Sequence, residues 1–566
     1  MREEKELKKG FIKAALAAVL ALSVTGCTSN VTSNNTLNNA LSYDDAVTEL
    51  NTFVKKIGPT EVPARLDVDM SEASVADSLA SIDTFDMMLL GTGSINIEIA
   101  APSEFSGKSY PDEWLVAVGQ KFNKAGYTVD GKSVSVSIRK ISSGETLTYI
   151  TEGGYQPDLY IPSNEMWGEM LEASGVKTTK LADRIAGNTA GVLMSQKVYD
   201  DYTAKYGDVT VDGVLQAANA GDLVFAYTNP YTSATGMNIL CSMLHAFDNS
   251  NPLSSSAVDQ LVQYQNNAPT AAYTTSILKE SAAKGIIDAM VMEEQTYINT
   301  PELKNYVFTP AGVRHDHPVY SFVWTDDEET EVANMFVEYC KSAECQEMAK
   351  ERGFNLHEDY TPEDYGMTGA DYLAAQKVWK TNKNGTRPTI AVFVTDISGS
   401  MNGSRIKALK SSLLNTMQYI DSGSYIGLVS YSDKVYINLP IEQFDNKQRA
   451  YFSGAVKDLE VGGQTATYDA VLVGMQMLLE KSQSIPDANL MLFVLSDGAQ
   501  NAGFELKRIT PIVGGLGVSV YTIGYEMSSS DKKDLQTLSE INEAVCIDAD
   551  TNDIVNELRN LFNVNM

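Results

Sequence analysis

The chain of 566 residues is long enough for three or four domains. Its hydrophobic content of 43% against 20% charged residues is an ordinary globular balance, which excludes a wholly disordered chain. Acidic residues outnumber basic ones 73 to 43, and a formal net charge of −30 argues against binding nucleic acid, whose phosphates need a basic face.

The first element in chain order is an address. Arg2, Lys5, Lys8, Lys9 and Lys13 precede an apolar run from Ala14 to Val24. At about 11 residues the run is too short to span a hydrocarbon core of roughly 30 Å, and it reads as a secretory signal. The cut region Val24-Thr25-Gly26-Cys27 resembles the lipobox of bacterial lipoproteins. The resemblance implies a signal peptide over 1–26 and a diacylated Cys27 as the new N-terminus. The protein is then expected to be extracytoplasmic and anchored to the cell membrane by lipid rather than spanning it. Ser29 to Asn39, rich in Ser, Thr and Asn, reads as a flexible tether. Residues 27–90 as a whole are expected to be a tether and leader, with one helix over Tyr43 to Lys56.

From about Ile95, short β-rich runs alternate with helical ones. Ile95 to Ile99, Val134 to Ile138 and Asp158 to Ile161 predict strands; Glu113 to Ala125, Glu145 to Glu152 and Met166 to Ser174 predict helices. This alternation predicts an α/β sheet with parallel strands. The stretch from Ala226 to Gly236 and the elements from Phe336 to Gly353 complete a resemblance of residues 91–355 to type 2 periplasmic solute-binding proteins. That resemblance implies two α/β lobes closing on a small solute. Hydroxyls at Ser103, Ser143, Thr232, Ser233 and Thr235 are the candidate ligands, gripping an anionic group with the help of helix N-termini. Tyr297 could line the same cleft. His315-Asp316-His317 lacks the further ligands of a zinc site and reads as a surface loop.

Residues 356–385 read as a linker, and Asn382 to Pro388 as the junction to a second α/β series. Strands are predicted at Thr389 to Thr395, Tyr425 to Tyr431, Val435 to Leu439, Asn489 to Leu495 and Val518 to Ile523. Helices are predicted near Ile406 to Ile420, Gln448 to Leu459, Tyr468 to Lys481 and Ile554 to Phe562. The run Ile390 to Val394 is continuously apolar, as a central parallel strand requires. It ends in Asp396-Ile397-Ser398-Gly399-Ser400, at the carboxyl end where open α/β sheets bind ligands. Two further strand-end pieces offer oxygen donors, Gly462 to Asp469 with Thr465, and Ser496-Asp497-Gly498. Hydroxyls and carboxylates together suit a hard cation such as Mg²⁺.

With these three motifs, residues 386–566 resemble a von Willebrand factor A (VWA) domain, a Rossmann-like fold with a central, mostly parallel sheet flanked by helices. The resemblance implies a metal-ion-dependent adhesion site. Ser398, Ser400 and Thr465 would bind Mg²⁺ (or Mn²⁺ or Ca²⁺) directly, with Asp396 and Asp497 behind them. An open coordination position would accept a Glu or Asp carboxylate from a protein partner. No His or Lys in these motifs offers a catalytic base, so binding and adhesion rather than turnover are expected, and no enzyme. The alternative is a transport-linked solute receptor whose VWA module docks a permease or regulator.

Overall fold

The computed structural model describes residues 40–68, 79–268, 275–283, 285–498, 500–525, 527–542, 544–549, 558–559, 561–562 and 565–566. The predicted signal, Cys27 and the tether lie outside the described residues, as does most of the helix predicted over Ile554 to Phe562. The chain forms two units. One is drawn from residues 71–388, 411–421 and 552–566, the other from 1–70, 389–410 and 422–551.

The first unit is built on two sheets. The larger runs in the order Met87–Leu89, Lys132–Lys140, Ile95–Ala101, Leu159–Tyr160, Val319–Phe322, Thr178–Ala182, with Thr128–Val129 paired to Lys132–Lys140. Ile95–Ala101 lies parallel to both of its neighbours. Its alternation is the reason it forms: Ile95, Ile97 and Ile99 are buried, while Asn96 and Glu98 on the opposite face are only partly so. The smaller sheet runs Tyr306–Arg314, Thr189–Ser195, Ala289–Glu293, Phe225–Ala226. Thr189–Ser195 is antiparallel to both neighbours, so the parallel pattern expected from the alternation of strands and helices is not uniform.

Residues 356–385, read from sequence as a linker, are packed into this unit. Helix Gly369–Asn382 starts at a reciprocal capping box between Thr368 and Asp371. Trp379 Nε1 donates to the Tyr227 hydroxyl at 2.9 Å, and Gln376 Nε2 to Pro230 O at 2.9 Å. Both aromatic rings are fully buried.

The second unit is one seven-stranded sheet in the order Thr60–Glu61, Val435–Gln443, Tyr425–Tyr431, Thr389–Asp396, Asn489–Ser496, Ser519–Tyr525, Cys546–Ala549. Thr389–Asp396 is parallel to both neighbours and buried along all of its 8 residues. Only Val435–Gln443 runs antiparallel to its inner neighbour. The helix over Tyr43–Ile57, predicted as part of the leader, belongs to this unit. Ser42 caps its start, and Gly58, with φ of 61°, ends it. It buries Ala46, Leu50, Phe53 and Val54 in the same core as Ile509, Ile512, Val513 and Leu516. Beyond it, Thr60–Glu61 adds a parallel edge strand on Tyr436 and Ile437, and Arg65 pairs with Asp458 at 2.9 Å. Among the described residues, no helix is long and apolar enough to cross a membrane. Cys241, Cys340 and Cys345 are free thiols.

Candidate functional site

In the second unit, the carboxyl ends of Thr389–Asp396 and Asn489–Ser496 meet two loops. Asp396 is fully buried and holds the first of them in shape: its Oδ1 accepts from Ser398 N at 2.8 Å. Its Oδ2 accepts from Ser496 Oγ at 2.8 Å and from the Tyr431 hydroxyl at 3.3 Å. Ser398 Oγ then lies 3.0 Å from Ser400 Oγ, and Ser400 Oγ donates to Asp497 Oδ1 at 3.0 Å. Asp396, Ser398, Ser400 and Asp497 are therefore brought together. Ser398 is buried and Ser400 exposed, so the chain of oxygens runs from the core to solvent.

The loop that carries Thr465 is fastened to the same place by its backbone. Gly462 N donates to Ile397 O at 2.8 Å, and Gly399 N to Gly463 O at 3.1 Å. Gly463 has φ of +82°, and a Cβ there would fall 2.3 Å from Asp433 Oδ1, so only glycine fits the turn. Thr465 is buried, with its N on Asn501 Oδ1 at 2.8 Å and its O accepting from Asn501 N at 3.0 Å. Thr467, two residues on, begins helix Thr467–Ser482.

Sequence reasoning missed four supports of this site. Tyr431 and Ser496 hold Asp396, and Asn501 holds Thr465. Arg405 Nη1 donates to Asp497 Oδ2 at 3.0 Å. Its guanidinium compensates a pair of carboxylates that would otherwise repel: burial, and then the charge of Asp497, push the Asp396 carboxyl above its usual range against the hydrogen bonds from Ser398 and Ser496. Among the described residues, no three His, Cys, Asp or Glu side chains gather as a metal site. The donor set here differs from such a cluster, because three of its five residues, Ser398, Ser400 and Thr465, offer hydroxyls. Neutral and anionic oxygens converging at one strand end fit a hard divalent cation.

The first unit carries a second polar cluster, between its two sheets. Glu104 and Asn164 follow strands of the larger sheet, while Glu293 ends one strand of the smaller and His315 follows another. His315 Nδ1 lies 2.6 Å from Glu293 Oε1, whose partner oxygen accepts from Asn188 Nδ2 at 2.8 Å. Asn238 fixes the tautomer. Its Oδ1 accepts from Val313 N at 2.9 Å and the Tyr365 hydroxyl at 2.7 Å, so its Nδ2 faces His315 Nε2 at 3.2 Å as a donor. Asn164 Nδ2 approaches the same ring nitrogen at 3.1 Å. Nε2 is thus an acceptor, and the Nδ1 proton points at Glu293. Glu104 Oε1 accepts from Ser163 Oγ at 2.6 Å.

His315 and His317 are both fully buried, which corrects the surface-loop reading. They follow strand Tyr306–Arg314 into the space between the sheets, and His317 stacks on Phe105 with ring centroids 3.9 Å apart. Of the predicted solute ligands, Ser143 reaches this cluster: its Oγ accepts from Ser163 N at 3.1 Å. Ser103 is exposed beside Glu104. Ser233 instead caps its own helix through Gly236 N at 3.2 Å, with Thr228 and Thr235 hydroxyls at 2.7 and 2.9 Å, and Thr232 lies beside them on the same turn. Tyr297 is packing, stacked on Phe308 with its hydroxyl on Tyr306 O.

Burial pushes Glu293 up to about 8, with the charge of Asp112 adding to it; burial and then Glu293 do the same to Glu104, also to about 8. Burial, as the main cause, takes His315 down to about 4 and His317 to about 3. Below the ordinary imidazole value of 6.5, the carboxyls hold extra protons in the folded state while the imidazoles lack them, and the two effects oppose. Between 6.5 and about 8 the two carboxyls hold protons that the unfolded chain has lost, while burial holds Lys383 down to about 7 and Lys380 well below its usual range, so the lysines lack protons that the unfolded chain keeps. The carboxyls' contribution to stability therefore falls as pH rises through that window, and the lysines oppose it. Glu293→Gln removes part of the falling contribution, so its melting temperature relative to the wild type is expected to rise from pH 6.5 to 8. Equal slopes for the two proteins would contradict this account.

Comparisons with known proteins agree with this division. Residues 109–355 match the family model of bacterial extracellular solute-binding proteins, and residues 391–561 that of the von Willebrand factor type A domain. Inter-alpha-trypsin inhibitor heavy chain H1 of Sus scrofa is 27% identical over 170 residues, which is 28% of this chain and 18% of that protein. Voltage-dependent calcium channel subunit alpha-2/delta-4 of Homo sapiens is 25% identical over 183 residues, 31% of this chain and 16% of that protein. The chain thus spans less than a fifth of these relatives. Among solved structures, the sulfate-binding protein SubI from Mycobacterium tuberculosis H37Rv aligns with a TM-score of 0.35 at 15% identity, covering 47% of this chain and 88% of that one. The chain carries, in order, a domain of the bacterial extracellular solute-binding protein family and a von Willebrand factor type A domain.

Proposed function

We propose that this is a surface-anchored receptor. Its VWA unit binds an acidic protein partner through Mg²⁺, or Mn²⁺ or Ca²⁺ in its place, and its solute-binding unit takes a small solute. The signal over 1–26 and a lipid on Cys27 would hold it outside the cell membrane. The observation that carries the adhesion reading is the chain of oxygens from Asp396 through Ser398 and Ser400 to Asp497, with the Thr465 loop fastened beside it.

Ser398, Ser400 and Thr465 would hold the ion, with Asp396 and Asp497 behind them. When bound, the ion offers a positive position that a partner's Glu or Asp carboxylate can fill. The residues prepare that position. Neutral hydroxyls leave positive charge uncancelled, Asp396 orients Ser398, and Arg405 shares Asp497. No imidazole or amine stands among these residues to take a proton from water, so the reading is one of binding without turnover.

Calorimetric titration of Mg²⁺ and Mn²⁺ into the full chain tests this. Saturable binding is expected in the wild type, weakened at least about 10-fold by Thr465→Ala. Thr467→Ala is expected to leave it in place. Absence of binding in the wild type, with or without an acidic peptide, would overturn the reading.

A further inference from the structure

The polar cluster of the first unit has a sign. Its side chains come from both sheets, and Glu104 is partly exposed while Asn164, Glu293 and His315 are buried. Two acidic groups, Glu104 and Glu293, face one neutral imidazole. The unpaired atom in this set is an acceptor. Asn164 is fully buried, its Nδ2 is committed to His315, and its Oδ1 has no hydrogen-bond partner. The amide cannot be turned round to relieve this, because Asn238 already makes His315 Nε2 an acceptor. A buried acceptor without a donor is destabilising, and a ligand with an N–H group removes that cost. A sulfate-like oxyanion would bring only further acceptors to Asn164 Oδ1, which needs a donor.

We propose that the solute of this unit is an organic cation, a protonated amine or guanidine, that places its N–H groups on the Glu104 carboxylate and on Asn164 Oδ1. The proposal rests on the reading that this unit binds a solute between its sheets, and it names the solute's class. Glu293 has both oxygens occupied by donors, from His315 and Asn188, which leaves Glu104 as the carboxyl with capacity to spare. Burial holds Glu104 up at about 8 in the absence of a neighbouring cation, and an ammonium or guanidinium group would restore its ionised form.

Calorimetric titration of the full chain at about 0.15 M salt tests the class, since nonspecific attraction to the acidic surface is largely screened there. The cationic probes are putrescine and agmatine; the anionic probes are sulfate and molybdate. Saturable binding of a cationic probe is expected, weakened at least 10-fold by Glu104→Gln and by Asn164→Leu. Cation binding that survives Glu104→Gln would overturn the proposal. Binding of sulfate or molybdate without the amines would also overturn it, and would leave the solute-binding reading standing. Binding of neither class would overturn both.

Discussion

Asp396→Ala is expected to cost the full chain about 10- to 100-fold in Mg²⁺ affinity, the range typical for groups that orient metal ligands. The side chain is fully buried and is the acceptor for three donors, Ser398 N, Ser496 Oγ and the Tyr431 hydroxyl. Its loss frees the Ser398 turn and leaves those donors unpaired, at about 1–3 kcal/mol for each that water does not reach. Part of that is offset, because the deleted carboxylate was itself penalised by burial and by Asp497. The melting temperature should therefore change less than the lost hydrogen bonds alone imply, while metal affinity falls by the full amount. Asp396→Asn separates the two effects. Its amide oxygen can keep Ser398 N, so folding should approach that of the wild type, but the charge behind the hydroxyls is gone. The sign with pH follows from the same carboxyl. Protons compete with the cation for a group whose ionised form is disfavoured, so affinity weakens as pH is lowered toward the acid range. Titration calorimetry on the three proteins checks the order. Wild-type affinity in Asp396→Ala would place the metal elsewhere.

Much of the second unit was legible because its signals are local. The apolar run Ile390 to Val394 has the composition of a strand covered on both faces, and the donors follow at the strand ends where α/β sheets leave loops. Strand Tyr425–Tyr431 has the bounds predicted for it. The supports of the site were not legible. Tyr431 lies 35 residues from Asp396 and Ser496 lies 100, and nothing in their spacing says that they share an acceptor. Arg405 reads as an ordinary cation early in a helix until Asp497 is placed beside it. The first unit shows the opposite failure. Hydroxyls next to helix starts read as solute ligands, and Ser233 also gives its oxygen to its own helix, as capping residues do. The histidine pair was read as exposed because a short polar run after a strand usually is. Its burial depends on Glu293 and Asn238, which come from distant elements, and no periodicity announces a polar cluster assembled from both sheets.

The leader carries the second large effect. Helix Tyr43–Ile57 is separated in sequence by more than 400 residues from helices Thr467–Ser482 and Leu506–Leu516, on which it packs, yet Leu50 and Phe53 are 1% and 5% exposed. Phe53 lies 4.5 Å from Phe504 between ring centroids, with the Arg508 guanidinium 5.6 Å from its centroid. Leu50→Ala is expected to destabilise the VWA unit by about 2–5 kcal/mol and Phe53→Ala by about 3–5 kcal/mol, as buried truncations of these sizes do. Removing the whole helix goes further, because it uncovers the apolar face of Leu506–Leu516, where Ile509, Ile512, Val513 and Leu516 are buried. A fragment of residues 386–566, cut where the family resemblance begins, should then melt well below the intact chain and tend to associate through that face. Hydrogen exchange over residues 506–516 reads the effect directly, with faster exchange expected in Leu50→Ala and fastest in the fragment. If the fragment exchanges as slowly there as the intact chain, the helix is an ornament on a core that closes without it. If it does not, any metal titration on the bare fragment measures a partly opened unit, and the VWA fold of this protein has to be counted from the leader onward.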